Sequence, residues 1–160
     1  MMGLSPKTAS PMTWIGATFA VGAIGGWISA GAPAFYEGLE LPAFAPPAVL
    51  FPVVWTVLYL LMGIAAYLAA ASDGGRETKI LALVFYWSQL AVQLLWCGVF
   101  FRLGQPTAAF WLGVLLVLLA AATAQWFAQL DRRAYLLMLP YLAWLLFAVL
   151  LTFLLAKQVR

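Results

Sequence analysis

Charged residues are scarce in this chain. Asp, Glu, Lys and Arg together make up 8% of its 160 residues, against roughly a quarter in an ordinary soluble domain. Hydrophobic residues make up 66%, and the mean hydropathy is +1.02. This composition excludes an ordinary soluble domain and predicts an integral membrane protein, with the lipid bilayer as its surroundings.

Histidine is absent and cysteine occurs once, as Cys97. No disulfide can form within the chain, and the clustered ligands of a zinc site and the imidazole of a common nucleophilic triad are both missing. We therefore expect no metal site. We interpret Cys97 as a small buried apolar residue, and a haem-ligating or redox thiol is the alternative.

The few charged side chains all lie in predicted loops or at the ends of predicted spans. Proton-coupled transporters and ion pumps mark their pathways with ionisable residues at membrane depth, so this distribution argues against both classes. It leaves room for passive movement of a neutral or amphipathic compound. The same distribution offers no buried acid–base pair for catalysis.

The net charge of +3 is scattered rather than gathered on one face, so no nucleic-acid partner is expected.

Five uncharged runs are each long enough to cross a bilayer, which takes about 20 apolar residues. The fold class predicted is therefore an all-α integral membrane protein, a five-transmembrane-helix bundle in a single domain, residues 1–160. The predicted spans are about 12–32, 49–71, 80–101, 106–130 and 134–156. Five bases fall on one side of this multi-pass arrangement and three on the other, which favours a cytoplasmic N-terminus.

The link between the first two predicted spans, about 33–48, is unusually rich in proline. It contains Pro33, Pro42, Pro46 and Pro47, so it cannot be helical throughout. We predict that it folds as a lid over one mouth of the bundle, with Phe44, Pro46 and Pro47 in the lid.

Aromatic and polar residues recur at helical spacing on three of the spans, so they share one face of each helix. Two interpretations remain open: hydrogen-bonded packing between helices, or a cavity lined by aromatic rings that suits a planar and mostly apolar ligand. The stripes are Trp55 and Tyr59; Tyr86, Gln89, Gln93, Trp96 and Phe100; and Tyr141, Trp144, Ala148 and Thr152.

Five stretches between about residues 32 and 156 carry a resemblance to a known family. They are FYEGL before Pro42, the pair Pro46-Pro47, FPVVWTVLYLLMG at 51–63, YWSQLAVQLLWCGVFF at 86–101 and LPYLAW at 139–144. In order and spacing these stretches resemble the TspO/MBR family, the tryptophan-rich sensory proteins of bacteria and the mitochondrial translocator protein or peripheral benzodiazepine receptor.

The resemblance implies a homodimer that binds porphyrins, such as protoporphyrin IX or haem, as ligands rather than as cofactors. Carried over by position, the ligand-binding residues would be Trp55, Tyr59, Gln93, Trp96, Phe100, Tyr141, Trp144 and Ala148. The expected function is a receptor or carrier with a role in tetrapyrrole regulation or stress sensing, in a bacterial inner or outer membrane. The alternatives are a light-dependent porphyrin-degrading enzyme using Trp55 and Trp144, and a structural membrane subunit without a ligand.

The chain departs from the family pattern at several positions. Leu41 stands where the family often has a lysine that contacts anions, and Gln93 and Thr152 stand where asparagines are usual. These changes predict a different ligand preference. The sterol motif of the mammalian proteins is missing as well, because no base follows Tyr141 until Lys157, which argues against a sterol partner.

Overall fold

A computed structural model describes residues 8–31 and 36–158, and within these ranges the chain is helical with no strand. A π-helical segment, Gly98–Arg102, directly follows the α-helix Arg76–Cys97. The α-helices of the described residues are α1 Pro11–Ile28, α2 Leu50–Ala71, α3 Arg76–Cys97, α4 Pro106–Leu130 and α5 Arg132–Gln158.

Four of these segments are long and apolar enough to cross a membrane: Leu50–Ala71, Arg76–Arg102, Pro106–Leu130 and Arg132–Gln158. The all-helical membrane fold is therefore confirmed, while the count of five spans stays a prediction. Helix α1 is a further helix of 18 residues, about 27 Å long at 1.5 Å per residue. Its glycines and threonines reduce its hydropathy, which leaves it outside this set of four.

The helix bounds differ from the predicted spans mainly where charged residues lie at helix ends. Helix α3 begins at Arg76 rather than at residue 80, because charged side chains stay helical where a helix emerges from the apolar layer. Helix α1 ends at Ile28, earlier than the predicted residue 32. After this point the Ala30 N–H bonds to the Trp27 carbonyl, three residues back, at 3.3 Å instead of following the α-helical pattern. Residue 32 itself lies outside the described residues.

Short connections make α2, α3, α4 and α5 run alternately up and down. The core between them is built from fully buried side chains, among them Met62, Tyr86, Phe127, Met138 and Tyr141. Helix α1 packs closely on α2 at Gly63, where an added Cβ would lie 2.8 Å from the Ile15 Cα. A glycine at this point lets the two backbones approach.

Helix α3 is joined to three other helices by buried hydrogen bonds from one of its faces. The Tyr86 hydroxyl lies 2.6 Å from the Thr18 hydroxyl on α1, the Tyr141 hydroxyl on α5 donates to Gln89 Oε1, and Gln93 Nε2 donates to the Tyr59 hydroxyl on α2. Three residues of the stripe predicted on this helix, Tyr86, Gln89 and Gln93, are therefore used for interhelical hydrogen bonding.

Asp131 holds the turn between α4 and α5. Its carboxylate accepts a hydrogen bond from the Arg133 backbone N–H at 2.7 Å and forms an ion pair with the Arg133 guanidinium at 2.8 Å. The hydrogen bonds from Arg133 hold the pKa of Asp131 below its usual value. This carboxylate caps the start of α5.

Candidate functional site

A cavity of about 560 Å³ opens between α1, α2, α3 with its π-helical extension, α5 and the loop that precedes α2. This volume lies within the range of small-molecule pockets. Of the residues predicted for the ligand site, those that line it are Trp55, Tyr59, Gln93, Trp96, Phe100, Trp144 and Ala148; Thr152 also lines it.

Flat aromatic surfaces form much of the cavity wall. Trp96 and Phe100 stack with ring centroids 5.1 Å apart and planes 8° apart. The rings of Trp55 and Tyr59 lie 5.5 Å apart on α2, and the edge of Phe51 meets Trp144 at 5.8 Å. Such surfaces favour contact with another extended π-system.

No charged side chain is among the described residues that line the cavity. The hydroxyl groups of Thr56 and Thr152 donate to the carbonyls of Pro52 and Ala148 on their own helices, each at 2.7 Å. The cavity therefore has an apolar interior with few free polar groups.

Two polar atoms of cavity-lining residues are buried without a hydrogen-bond partner in the described part of the chain: Gln93 Oε1 and Trp144 Nε1. An unpaired buried donor or acceptor costs about 1–3 kcal/mol. One acceptor on α3 and one donor on α5 are thus without a partner, and each is enclosed by its neighbours.

The loop before α2 contributes Tyr36 and Ala48 to the wall. Tyr36 is 5% exposed, meets the ring of Phe51 edge-on at 5.4 Å, and donates its hydroxyl to the Pro46 carbonyl at 3.1 Å. Burial raises the pKa of the Tyr36 hydroxyl, which keeps it protonated as a donor.

The three predicted lid residues lie beside the cavity rather than in its wall. Phe44 packs edge-on against Phe147 of α5 at 6.2 Å, Pro46 holds Tyr36 through its carbonyl, and Pro47 is exposed. Earlier in the loop, the Glu40 carbonyl accepts from the Gln158 side chain at 2.8 Å. The loop is thus fastened to α5, and residues 33–35 of the predicted lid lie outside the described residues.

Among the helix residues predicted to bind a ligand, Tyr141 alone does not line the cavity. It is fully buried, its ring lies edge-on to Trp55 at 6.2 Å, and its hydroxyl is used by Gln89. Its position behind Trp55 makes it a support for the wall.

Helix α1 and the residue that follows it supply part of the wall that the stripes on the other helices did not predict. They include Phe19, Gly22, Gly25 and Gly26 on α1, and Ser29 directly after it. The available signal was the spacing of Gly22 and Gly26, which is equally typical of close helix packing. Phe51, Phe147 and Cys97 also line the cavity. Cys97 is buried as expected, and its place in the wall follows from the packing of α3 against α1.

Two of the glycines on α1, Gly22 and Gly26, predict opposite effects of the same substitution. A Cβ on Gly22 would lie 2.6 Å from the Tyr59 ring, whereas a Cβ on Gly26 would meet nothing within 4 Å. We expect Gly22→Ala to lower the free energy of unfolding by about 1–3 kcal/mol. Gly26→Ala should leave it unchanged or raise it by up to about 1 kcal/mol. Unfolding of the purified protein in detergent measures both, and equal effects would contradict the close contact at Tyr59.

Comparison with known proteins agrees with this architecture. Residues 14–157 match the TspO/MBR family. The chain is 40% identical over 110 residues to the tryptophan-rich sensory protein of Cereibacter sphaeroides, covering 69% of this chain and 67% of the relative. It is 37% identical over 132 residues to protein CrtK of Rhodobacter capsulatus, covering 82% and 81%.

A eukaryotic relative shows a similar degree of likeness. The chain is 38% identical over 122 residues to the translocator protein of Homo sapiens, covering 74% of this chain and 71% of the relative. The family match covers most of the chain, including every described helix that lines the cavity, so this protein belongs to the TspO/MBR family.

Proposed function

We propose that this protein is a membrane receptor or carrier that binds tetrapyrroles, such as protoporphyrin IX or haem, and similar planar apolar ligands within its helix bundle. Its role would lie in tetrapyrrole regulation or stress sensing. The observation that carries the proposal is the uncharged cavity of about 560 Å³ walled by aromatic rings from α2, α3 and α5.

The shape and chemistry of the wall support a planar ligand. A conjugated macrocycle has two flat faces, and the stacked pair Trp96–Phe100 and the pair Trp55–Tyr59 offer flat surfaces to such faces. An apolar ring system also leaves water for the cavity at a free-energy gain of about 25 cal/mol for each Å² buried.

The few polar groups support a ligand with a small number of polar substituents. Gln93 Oε1 would accept a hydrogen bond from a ligand N–H, and Trp144 Nε1 would donate one to a ligand oxygen. A small rotation of either side chain would bring its unpaired atom to the ligand. Each such bond would relieve a buried group that is now unpaired.

Titration of the purified protein with protoporphyrin IX tests the proposal. Quenching of tryptophan fluorescence should saturate, because indole rings lie in the cavity wall. A ligand at a hundredfold excess over its Kd should also stabilise the folded protein by about 2.7 kcal/mol. A structural subunit without a ligand predicts neither effect, so their joint absence across protoporphyrin IX and haem would overturn the proposal.

A second function is favoured by one feature of the wall: Trp55 and Trp144, the two residues assigned to porphyrin photo-oxidation, both line the cavity. If bound porphyrin is degraded, illumination in air should produce a new absorbance band. Trp55→Phe should abolish that product while retaining binding. A product that forms equally well in this variant would exclude Trp55 from the reaction.

We extend the proposal to a homodimer on the family resemblance. The mass of the protein–detergent complex from light scattering, corrected for bound detergent, tests it. A mass of one chain would contradict it.

A further inference from the structure

Arg102 ends the π-helical segment Gly98–Arg102 and reaches across to the end of α1. The segment is defined by the bond from the Leu103 N–H to the Gly98 carbonyl, five residues back, at 3.1 Å. A π-turn inserts a residue and changes the direction of the side chains that follow it. Here Arg102 Nε donates to the Ile28 carbonyl at 2.9 Å and Nη2 donates to the Trp27 carbonyl at 3.1 Å.

These contacts fix the guanidinium beside the cavity. Phe101, the residue before Arg102, lines the cavity, and so does Ser29, the residue after Ile28. The central carbon of the guanidinium, Cζ, lies over the Trp27 ring, 5.2 Å from its centroid. Arg102 is exposed and does not itself line the cavity, so its positive charge lies outside the uncharged cavity, next to residues of the cavity wall.

Part of the guanidinium makes no hydrogen bond within the described part of the chain. Arginine has five N–H donors, and the edge made by Nε and Nη2 is used for the two carbonyls of α1. The end of the group, with Nη1 and the second hydrogen of Nη2, makes no hydrogen bond or ion pair to any described residue. That end has the geometry that binds a carboxylate through two parallel hydrogen bonds.

An amphipathic ligand needs such a group because the cavity offers none inside. Burying an ionised carboxylate among uncharged side chains costs far more free energy than leaving it at the surface. The acidic end of a planar ligand must therefore stay at the rim while its ring system lies between the aromatic walls.

We propose that Arg102 binds the carboxylate of a planar, acidic ligand and thereby sets which end of that ligand enters the cavity first. This inference rests on the proposed function, because it requires the ring system to occupy the cavity. It places an anion-binding residue on the π-helical segment. The loop of this chain has Leu41 at the position where the family often has a lysine that contacts anions.

Lys157 is a second base at the same end of the bundle and supplies a matched control. Its Nζ lies over the Phe153 ring at 4.4 Å, and neither residue lines the cavity. Removing this charge changes the net charge as much as removing that of Arg102 does.

The experiment compares protoporphyrin IX with its dimethyl ester, which has the same ring system without free carboxylates. Fluorescence titrations use the full chain in neutral detergent, with the variants Arg102→Gln, Arg102→Lys and Lys157→Gln. We expect Arg102→Gln to raise the Kd of the acid about fivefold, the size of an exposed ion pair, and to leave the Kd of the ester unchanged. The loss should shrink at high salt.

The two control variants sharpen the test. Arg102→Lys should retain part of the affinity for the acid, because it keeps the charge without the two-pronged geometry. Lys157→Gln should bind both ligands as the unchanged protein does. Unaltered binding of the ester by Arg102→Gln also shows that the variant is folded.

Three results would overturn the inference. The first is an unchanged Kd of the acid in Arg102→Gln. The second is an equal loss of affinity for the acid and the ester in that variant, which would indicate only a structural role at the end of α1. The third is an increase in the Kd of the acid in Lys157→Gln as large as that in Arg102→Gln. If the unchanged protein binds neither ligand, the proposed function itself fails. Binding of both ligands without an Arg102 effect leaves the proposed function in place.

Discussion

Replacement of Trp144 with alanine is expected to raise the Kd for protoporphyrin IX about 30-fold, which corresponds to roughly 2 kcal/mol, the size of a buried aromatic hot spot. The Trp144 ring meets Phe51 at 5.8 Å and Phe147 at 5.5 Å, so its removal opens one side of the cavity. It also removes the unpaired indole N–H that would donate to a ligand oxygen. Fluorescence quenching of the remaining tryptophans measures the change.

Trp111→Ala provides the matched control for this variant. Trp111 lies on α4, is 65% exposed and does not line the cavity. We expect its removal to change the Kd by less than about twofold, since surface substitutions away from a site have small effects. Equal affinities in Trp144→Ala and in the unchanged protein would remove this cavity as the porphyrin site.

Replacement of Tyr141 with alanine is expected to lower the free energy of unfolding by about 3–5 kcal/mol, as for other fully buried aromatic residues. The ring is 0% exposed and supports Trp55, and its hydroxyl is the partner of Gln89 Oε1. Truncation would leave both a void and an unpaired amide oxygen at the centre of the bundle. Unfolding in mixed micelles of increasing SDS content measures the loss.

Tyr141→Phe separates the hydroxyl from the ring. It keeps the contact with Trp55 and removes only the hydrogen bond, so we expect a loss of about 1 kcal/mol, near the values measured for hydrogen bonds between membrane helices. The Kd for porphyrin should stay within about twofold of the unchanged protein, because Tyr141 supports the wall without lining it. A large loss of affinity with little loss of stability would instead show that Tyr141 contacts the ligand.

Much of the helical architecture could be predicted from the sequence because a membrane imposes a simple rule. Every backbone polar group in the apolar layer must be satisfied within its own segment, so a long uncharged run forms a helix. The bounds of α2 and α4 lie within one residue of the predicted spans 49–71 and 106–130. Helices α3 and α5 begin before the predicted spans, at Arg76 and Arg132, because a charged side chain stays helical where a helix emerges from the apolar layer.

Most of the residues predicted for the ligand site do line the cavity, for a related reason. Helical spacing puts Trp55 beside Tyr59, and Gln93 beside Trp96 and Phe100, on one face of each helix. The spacing did not separate lining residues from the layer behind them. Tyr141 and Trp144 are three residues apart on α5, yet only Trp144 reaches the cavity, because the Tyr141 side chain turns toward Gln89 of α3.

The sequence by itself determined the helices, their membrane character and the aromatic face that each one carries, since these properties depend on neighbours along the chain and on the surrounding lipid. Only the tertiary structure decided which helices enclose the cavity, because that depends on how closely α1 approaches α2 at Gly22 and Gly63. It also decided where charge meets the cavity. Arg102 looks like an ordinary loop base in the sequence, and a π-turn together with two carbonyls of α1 places it at the rim.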